Sequence, residues 1–315
     1  GRIQPMKRDD AESGLGEDAL AEVRWPRWIS VYAGAIAIFH LWANTLGTLP
    51  SLWLNSLHLG LLGSLVCAVA ASRDGIGPLA RAWHGVLGGL ALAGGLYPML
   101  AEEALRARGE IMTTPDRIAG GVTVVVALVL CRRVSGWTIP ALVVLAASYI
   151  MFWGRYIDGV FHFRGLGWER VIYRYYFTGE GLFGMVATIS VSFVFLFILF
   201  SAFLLKSGAG EFIIRVAQVV TGRLAGGAGY VAILASGLTG TISGSAVANT
   251  VATGTFTIPL MKRTGFSPAF AAGIEAAAST GGQFMPPVMG AGAFLMAQFF
   301  ALLALTRRHP TATPT

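Results

Sequence analysis

Long apolar runs separated by short polar links dominate the chain. The first run begins near Ile29, after a mixed-charge segment, and ends near Leu49; Leu52–Ala71, Trp83–Ala101 and Ile118–Cys131 follow. Each approaches the roughly 20 apolar residues that cross about 30 Å of hydrocarbon, so each predicts a membrane-spanning helix. Polar links Ser72–Arg81 and Glu102–Arg117 separate them, and Arg132-Arg133 closes the fourth run. Trp137–Ile157 predicts a fifth span. Leu182–Leu205, dense in Phe, Val and Ile and ended by Lys206, predicts a sixth. Between these two lies Gly159–Glu180, where Trp168, Tyr173, Tyr175 and Tyr176 mix with Arg164, Arg170 and Arg174. That mixture suits the headgroup level, as an interfacial helix with a loop. Glu211–Gly222 places Phe212, Val216 and Val219 or Val220 on one face, which predicts a short amphipathic helix in the interface.

From Leu224 to Met261 the chain has no Asp, Glu, Lys or Arg, yet it is rich in Gly, Ser and Thr. Tyr230–Ile242 predicts a helix, Gly244 interrupts it, and Ala246–Met261 resumes before Lys262-Arg263 return to the surface. Pro268–Thr280 predicts another helix, broken by Gly281-Gly282 and Pro286-Pro287. Val288–Leu305 predicts a last span, and the polar Pro/Thr tail 306–315 is expected to be disordered. The fold class expected is an all-α polytopic membrane protein.

Composition agrees. Of the 315 residues 55% are hydrophobic and 12% charged, against about 25% charged in soluble domains. The net charge of +7 comes from Lys and Arg at segment ends, where they set orientation and snorkel to the interface; nucleic-acid binding is not expected. Their distribution favours a cytoplasmic N-terminus. The leader 1–28 lacks the basic, apolar, small-residue order of a signal peptide. Cys67 and Cys131 offer neither a disulfide framework nor metal spacing and read as small apolar filler. P-loop, zincin and nucleophile-elbow signatures are missing, so no enzyme is expected.

Ser243-Gly244-Ser245 is the strongest candidate site. Unwinding a helix at Gly244 frees carbonyls on one side and N–H groups on the other. Carbonyls with Ser or Thr hydroxyls suit a bare Na⁺, and the N-terminus of the following half-helix suits a carboxylate. Ser245, Asn249 and Thr253 recur every four residues on one face of that half-helix, and Thr257 extends the stripe. Close packing through the small-xxx-small pair Gly240 and Gly244 is the competing account. A second break spans Ser279, Thr280, Gly281, Gly282, Pro286 and Pro287, where Gly and Pro leave carbonyls outside helix bonding. Two interrupted helices together are the transporter pattern; a plain turn is the alternative. Glu275 is the one ionisable residue between Arg263 and Arg307, and an acid at membrane depth is a candidate for cation binding or proton relay, or a partner of Lys262 or Arg263. His40, His58 and His84 are isolated and read as helix-packing histidines.

GLFG…VSFVFLFILFSAFLLKSGAGEF, followed by GTISGSAVANTVATGTFTIPLMKRTGFSPAFAAGIEAAASTGGQFMPPVMGAGAFLMA, resembles the permease of tripartite ATP-independent periplasmic (TRAP) transporters over roughly residues 118–297. The fused 4TM/12TM type, working with TAXI-type receptors, is the nearest branch. The resemblance implies a four-span small-subunit-like region over 29–135 and the first repeat of the large, DctM-like permease domain over 136–305. It implies Na⁺-driven import of small organic acids, a periplasmic TAXI-type solute-binding protein as partner beside membrane lipid, and no cofactor other than Na⁺ as coupling ion. Carried onto this chain, Ser243, Gly244, Ser245 and Asn249 lie in the first hairpin of the site and Ser279 to Pro287 in the adjoining broken helix. Ser243, Ser245, Gly282 and Pro287 are the implied Na⁺ contacts. The family pattern continues with a second, inverted repeat, whereas the match fades here after Ala297, with Gln298 where an acid is common and RRHPTATPT at the end. A truncated permease lacking its second half is therefore expected. A non-transporting membrane scaffold is the alternative, and an intramembrane enzyme using Glu275 ranks below both.

Overall fold

The structure, a computed structural model, describes residues 25–221, 224, 226–286, 289–290, 292–297 and 300. The described residues are helical with connecting turns, and no strand occurs among them. Five of their helices are long and apolar enough to cross a membrane: Ser51–Ala71, Pro78–Ala107, Thr114–Ser135, Thr138–Tyr156 and Met185–Leu204. This is an all-α polytopic membrane protein. Two compact units divide the described chain, one over Trp25–Ser192 and one from Phe193 onward.

The first unit opens with α1 (Arg27–Thr45), α2 (Ser51–Ala71), α3 (Pro78–Ala107) and α4 (Thr114–Ser135). α1 stops four residues short of the expected Leu49 and is not among the five helices named above. Gly47 donates to the Trp42 carbonyl and folds the chain back, and Pro50 then caps α2. α3 begins earlier and ends later than Trp83–Ala101, because Pro78 suits its first turn and Glu102–Ala107 favours helix. α4 starts at Thr114 rather than Ile118. Thr113 and Asp116 form a capping box there, with Asp116 Oδ2 accepting from the Thr113 N–H and hydroxyl, both at 2.7 Å.

α2 and α3 pack through small residues. A methyl group on Gly95 would lie 2.5 Å from the Ser56 carbonyl oxygen and 2.8 Å from Gly60 Cα. Backbones approach this closely where neither helix carries bulk, and the contact replaces a hydrophobic drive that lipid does not supply. Cys67 is buried in the same seam beside Leu87, Ala91 and Val126. His40 and His58 are satisfied by packing partners: His40 Nε2 and His58 Nδ1 are 2.8 Å apart, and His58 Nε2 is 3.0 Å from Ser190 Oγ. His84 accepts from Arg133 at 2.9 Å.

α5 (Thr138–Ser148) continues through a π turn, Tyr149–Trp153, and a 3₁₀ turn, Gly154–Tyr156. A 3₁₀ turn at Gly159–Phe161 and helix α6 (Trp168–Tyr176) follow, in the stretch where a helix with a loop was expected. Tyr176 is fully buried against Ala101, Leu105, Phe177 and Phe183, and its hydroxyl donates to the Gly94 carbonyl at 2.7 Å. α7 (Met185–Ile189) leads into a second π turn, Ser190–Val194.

In the second unit come α8 (Phe195–Lys206), α9 (Ala209–Thr221), α10 (Gly227–Ser243), α11 (Ala246–Arg263) and α12 (Pro268–Thr280). A 3₁₀ turn, Gly281–Gln283, ends α12. Ala217 of α9 packs with Val231 and Ala235, and Ala228, Ala232, Met261 and Ala271 join α10, α11 and α12 in a second apolar cluster. The leader up to residue 24, the tail 306–315 and most of the expected span Val288–Leu305 lie outside the described residues.

Candidate functional site

The second unit holds two broken helices side by side. Gly244 ends α10 at φ 60°, a left-handed backbone that glycine adopts at least cost, and its N–H donates to the Gly240 carbonyl at 3.1 Å. Ser245 is extended and caps α11, its Oγ accepting from the Ala248 N–H at 3.3 Å. The chain thus reverses across two residues. Gly244, Ser245, Gln283, Phe284, Gly290 and Ala293 line a cleft of about 440 Å³. Residues before and after the first break therefore share a wall with residues that follow α12.

Beneath the cleft the helices meet at glycines. A methyl group on Gly240 would lie 2.6 Å from Gly282 Cα and 3.2 Å from Asn249 Nδ2. Asn249 is fully buried and donates to the Ser236 carbonyl at 2.8 Å and towards that of Ser279 at 3.5 Å. Its Oδ1 and the Thr239 hydroxyl are buried polar atoms with no hydrogen-bond partner among the described residues. Such oxygens are costly to leave unmatched.

The expected residues divide into three groups. Ser243, Gly244 and Ser245 sit half-buried at the break, with Ser243 Oγ 3.5 Å from the Ser245 carbonyl. Asn249, Thr253, Ser279 and Gly282 are buried together between α10, α11 and α12. Thr280 instead faces outward, its hydroxyl bonded to the Ala276 carbonyl at 2.8 Å, Gly281 is half-buried, Pro286 is exposed, and Pro287 lies outside the described residues.

Glu275 is fully buried, and the described residues surround it with hydroxyls. Oε1 accepts from Ser236 at 2.7 Å, Thr253 at 2.5 Å and Ser279 at 3.0 Å, and Oε2 accepts from Thr257 at 2.5 Å. Lys262 and Arg263, the basic partners considered from sequence, are exposed. Gly254 leaves the room that this carboxylate occupies: a methyl group there would lie 3.1 Å from Glu275 Cγ. Sequence reasoning did not single out Ser236, Thr239 or Gly254. The signal available was the Ser236, Gly240, Ser243 spacing of four and three, which puts three small residues on one face of α10.

Residues 122–306 match the family described as Tripartite ATP-independent periplasmic transporter, DctM component. The match starts near the expected residue 118 and runs past Ala297. Vibrio cholerae has a C4-dicarboxylate TRAP transporter large permease protein DctM that is 30% identical over 151 residues, 45% of this chain and 33% of that protein. The Pseudomonas aeruginosa protein of the same name is 37% identical over 91 residues, 29% of this chain and 21% of that protein. Salmonella typhimurium YgiK is 38% identical over 91 residues, again 29% of this chain and 21% of its own length. The chain thus spans between a fifth and a third of the length of these relatives. No solved structure matches it. Members of this family are transporters and not enzymes, and with more than half of its residues matched to the family the chain belongs to the DctM component of the tripartite ATP-independent periplasmic transporters.

Proposed function

We propose that the chain is part of the permease of a Na⁺-coupled secondary transporter that imports small organic acids delivered by a periplasmic receptor. The apposition of two broken helices across one cleft, at Gly244-Ser245 and at Gly281–Gln283, carries this reading. Helix breaks present both kinds of group a symport site needs. The N-terminus of α11 offers N–H groups and the positive end of a helix dipole to a carboxylate. Ser243, Ser245 and Gly282 offer oxygens to Na⁺, with Asn249, Thr253, Ser279, Gly281 and Pro286 completing the two breaks. The unmatched oxygens of Asn249 and Thr239 support a cation near that point.

In this reading residues 29–135 are a fused small-subunit region and 136–305 the first repeat of the large permease domain. The receptor is of TAXI type, the membrane is the bacterial inner membrane, and the N-terminus is cytoplasmic. Alternating access needs an inverted second repeat around the same site, so transport belongs to the complete permease. The names of two relatives point to a C4-dicarboxylate as substrate class.

The test is uptake of labelled dicarboxylate in proteoliposomes holding a complete permease with this segment and its receptor. Ser245→Ala and Asn249→Ala are expected to lower Na⁺-dependent uptake at least tenfold, the effect of one lost charge-assisted contact. Wild-type uptake and sodium dependence in both variants would sink the site assignment.

A further inference from the structure

The first unit gathers positive charge at one end. α2 ends, α3 begins and α4 ends there, because consecutive helices joined by short links reverse direction. Arg73 follows α2, Arg81 and His84 stand in the first turns of α3, and Arg132 and Arg133 close α4. Residues 72–84 and 130–138 hold these four arginines against one acid, Asp74. All four arginines are exposed, and among the described residues none of them forms an ion pair. At the other end of the same helices the arginines are matched: Arg106 pairs with Glu102, Arg108 with Asp116 and Arg117 with Glu169.

The unmatched cations converge. Arg133 Nη1 donates to His84 Nδ1 at 2.9 Å, a bond from α4 to α3. Arg73 and Arg133 both act electrostatically on the His84 ring, so the end of α2 brings a second guanidinium to the same place. Like charges repel, and an anion between them turns that cost into attraction. Arg132 lies over the Trp137 ring, its guanidinium carbon 4.0 Å from the ring centroid. Trp137 and Trp83, the neighbour of His84, are both exposed. Exposed tryptophans of a membrane protein settle at headgroup depth, which sets these arginines level with lipid phosphates.

We propose that Arg73, His84 and Arg133, flanked by Arg81 and Arg132, form a binding site for the phosphodiester headgroup of an anionic phospholipid. Guanidinium forks match phosphate oxygens in pairs. The bond to His84 uses one donor of Arg133 and turns its guanidinium towards α3, leaving further N–H groups for phosphate. A zwitterionic lipid carries its own ammonium into this positive field, whereas phosphatidylglycerol brings a net negative charge.

The test needs no transport and is independent of the proposed function. Native mass spectrometry of the purified, delipidated full chain in detergent measures retention of added phosphatidylglycerol. Phosphatidylcholine with the same acyl chains is expected to bind about tenfold more weakly. Arg73→Gln and Arg133→Gln are each expected to weaken phosphatidylglycerol about fivefold, and the double variant about thirtyfold. Arg170→Gln removes an exposed arginine of α6 and is expected to change nothing. Equal affinity for the two lipids, or a double variant that holds phosphatidylglycerol as the wild type does, overturns the proposal. An equal loss in Arg170→Gln overturns it too, because net charge and not a site would then be the cause. Inorganic phosphate in excess is expected to leave the lipid in place; displacement by it assigns the site to the free anion and overturns the lipid assignment. If the double variant does not fold, the two single variants decide, and wild-type affinity in both overturns the proposal.

Discussion

Gly240 and Gly282 touch backbone to backbone: a methyl group on Gly240 would lie 2.6 Å from Gly282 Cα. This contact locks α10 to the turn after α12 and so fixes where the two breaks lie. Gly240→Ala cannot be absorbed by a side-chain rotation, because the obstacle is main chain. It is expected to destabilise the protein by about 1–3 kcal/mol, the range for overpacking. Gly237→Ala, whose nearest neighbour would be Met285 Cε at 4.0 Å, is the control and should be near neutral. Thermal unfolding of both variants in one detergent checks the difference, and equal stabilities would refute the lock.

The start of α4 offers a test in the other unit. Asp116 Oδ2 accepts from both donor groups of Thr113 and from Arg108 at 2.8 Å, and Oδ1 accepts from Tyr97 at 2.8 Å. Thr113→Ala removes one cap bond and is expected to cost about 1 kcal/mol. Asp116→Ala also strands Tyr97 and Arg108, and is expected to cost about 3 kcal/mol. Hydrogen exchange at the Asp116 and Arg117 amides should quicken in both, and more in the second.

Tyr173 predicts an alkaline limit. Burial first, and a hydrogen bond to Glu110 second, push its phenol up to about 12 from an ordinary 10.0. The folded state holds this proton more tightly than the unfolded chain does. The associated stability is therefore complete below pH 10 and is lost as pH rises towards 12. Tyrosinate absorbance during alkaline titration should show a late component that Tyr173→Phe reduces by one phenol. If the variant titrates like the wild type, Tyr173 is not one of the late phenols.

The sequence shows most of the helices because lipid demands long apolar runs, and it shows the first break because only Gly and a hydroxyl cap suit it. The start of α4 was also readable, since Thr113 and Asp116 carry the spacing of a capping box, but hydropathy alone set the boundary at Ile118. The two π turns left no such trace: Tyr149–Trp153 and Ser190–Val194 are ordinary apolar sequence. Ser279 and Thr280 illustrate the limit at the site. One residue step turns about 100° around a helix, so one hydroxyl reaches Glu275 and the next faces outward. Ser236 was hidden for a related reason, because its partners lie 17 and 39 residues away and only tertiary packing joins them.

Gly254 and Glu275 constrain each other's evolution. The carboxylate stem lies where a side chain at position 254 would begin. A lineage that enlarges residue 254 has to shorten residue 275, and one that replaces the acid leaves a gap that residue 254 is free to fill. The two positions should therefore vary as a pair across aligned relatives, a small residue accompanying the acid and a larger one accompanying its loss.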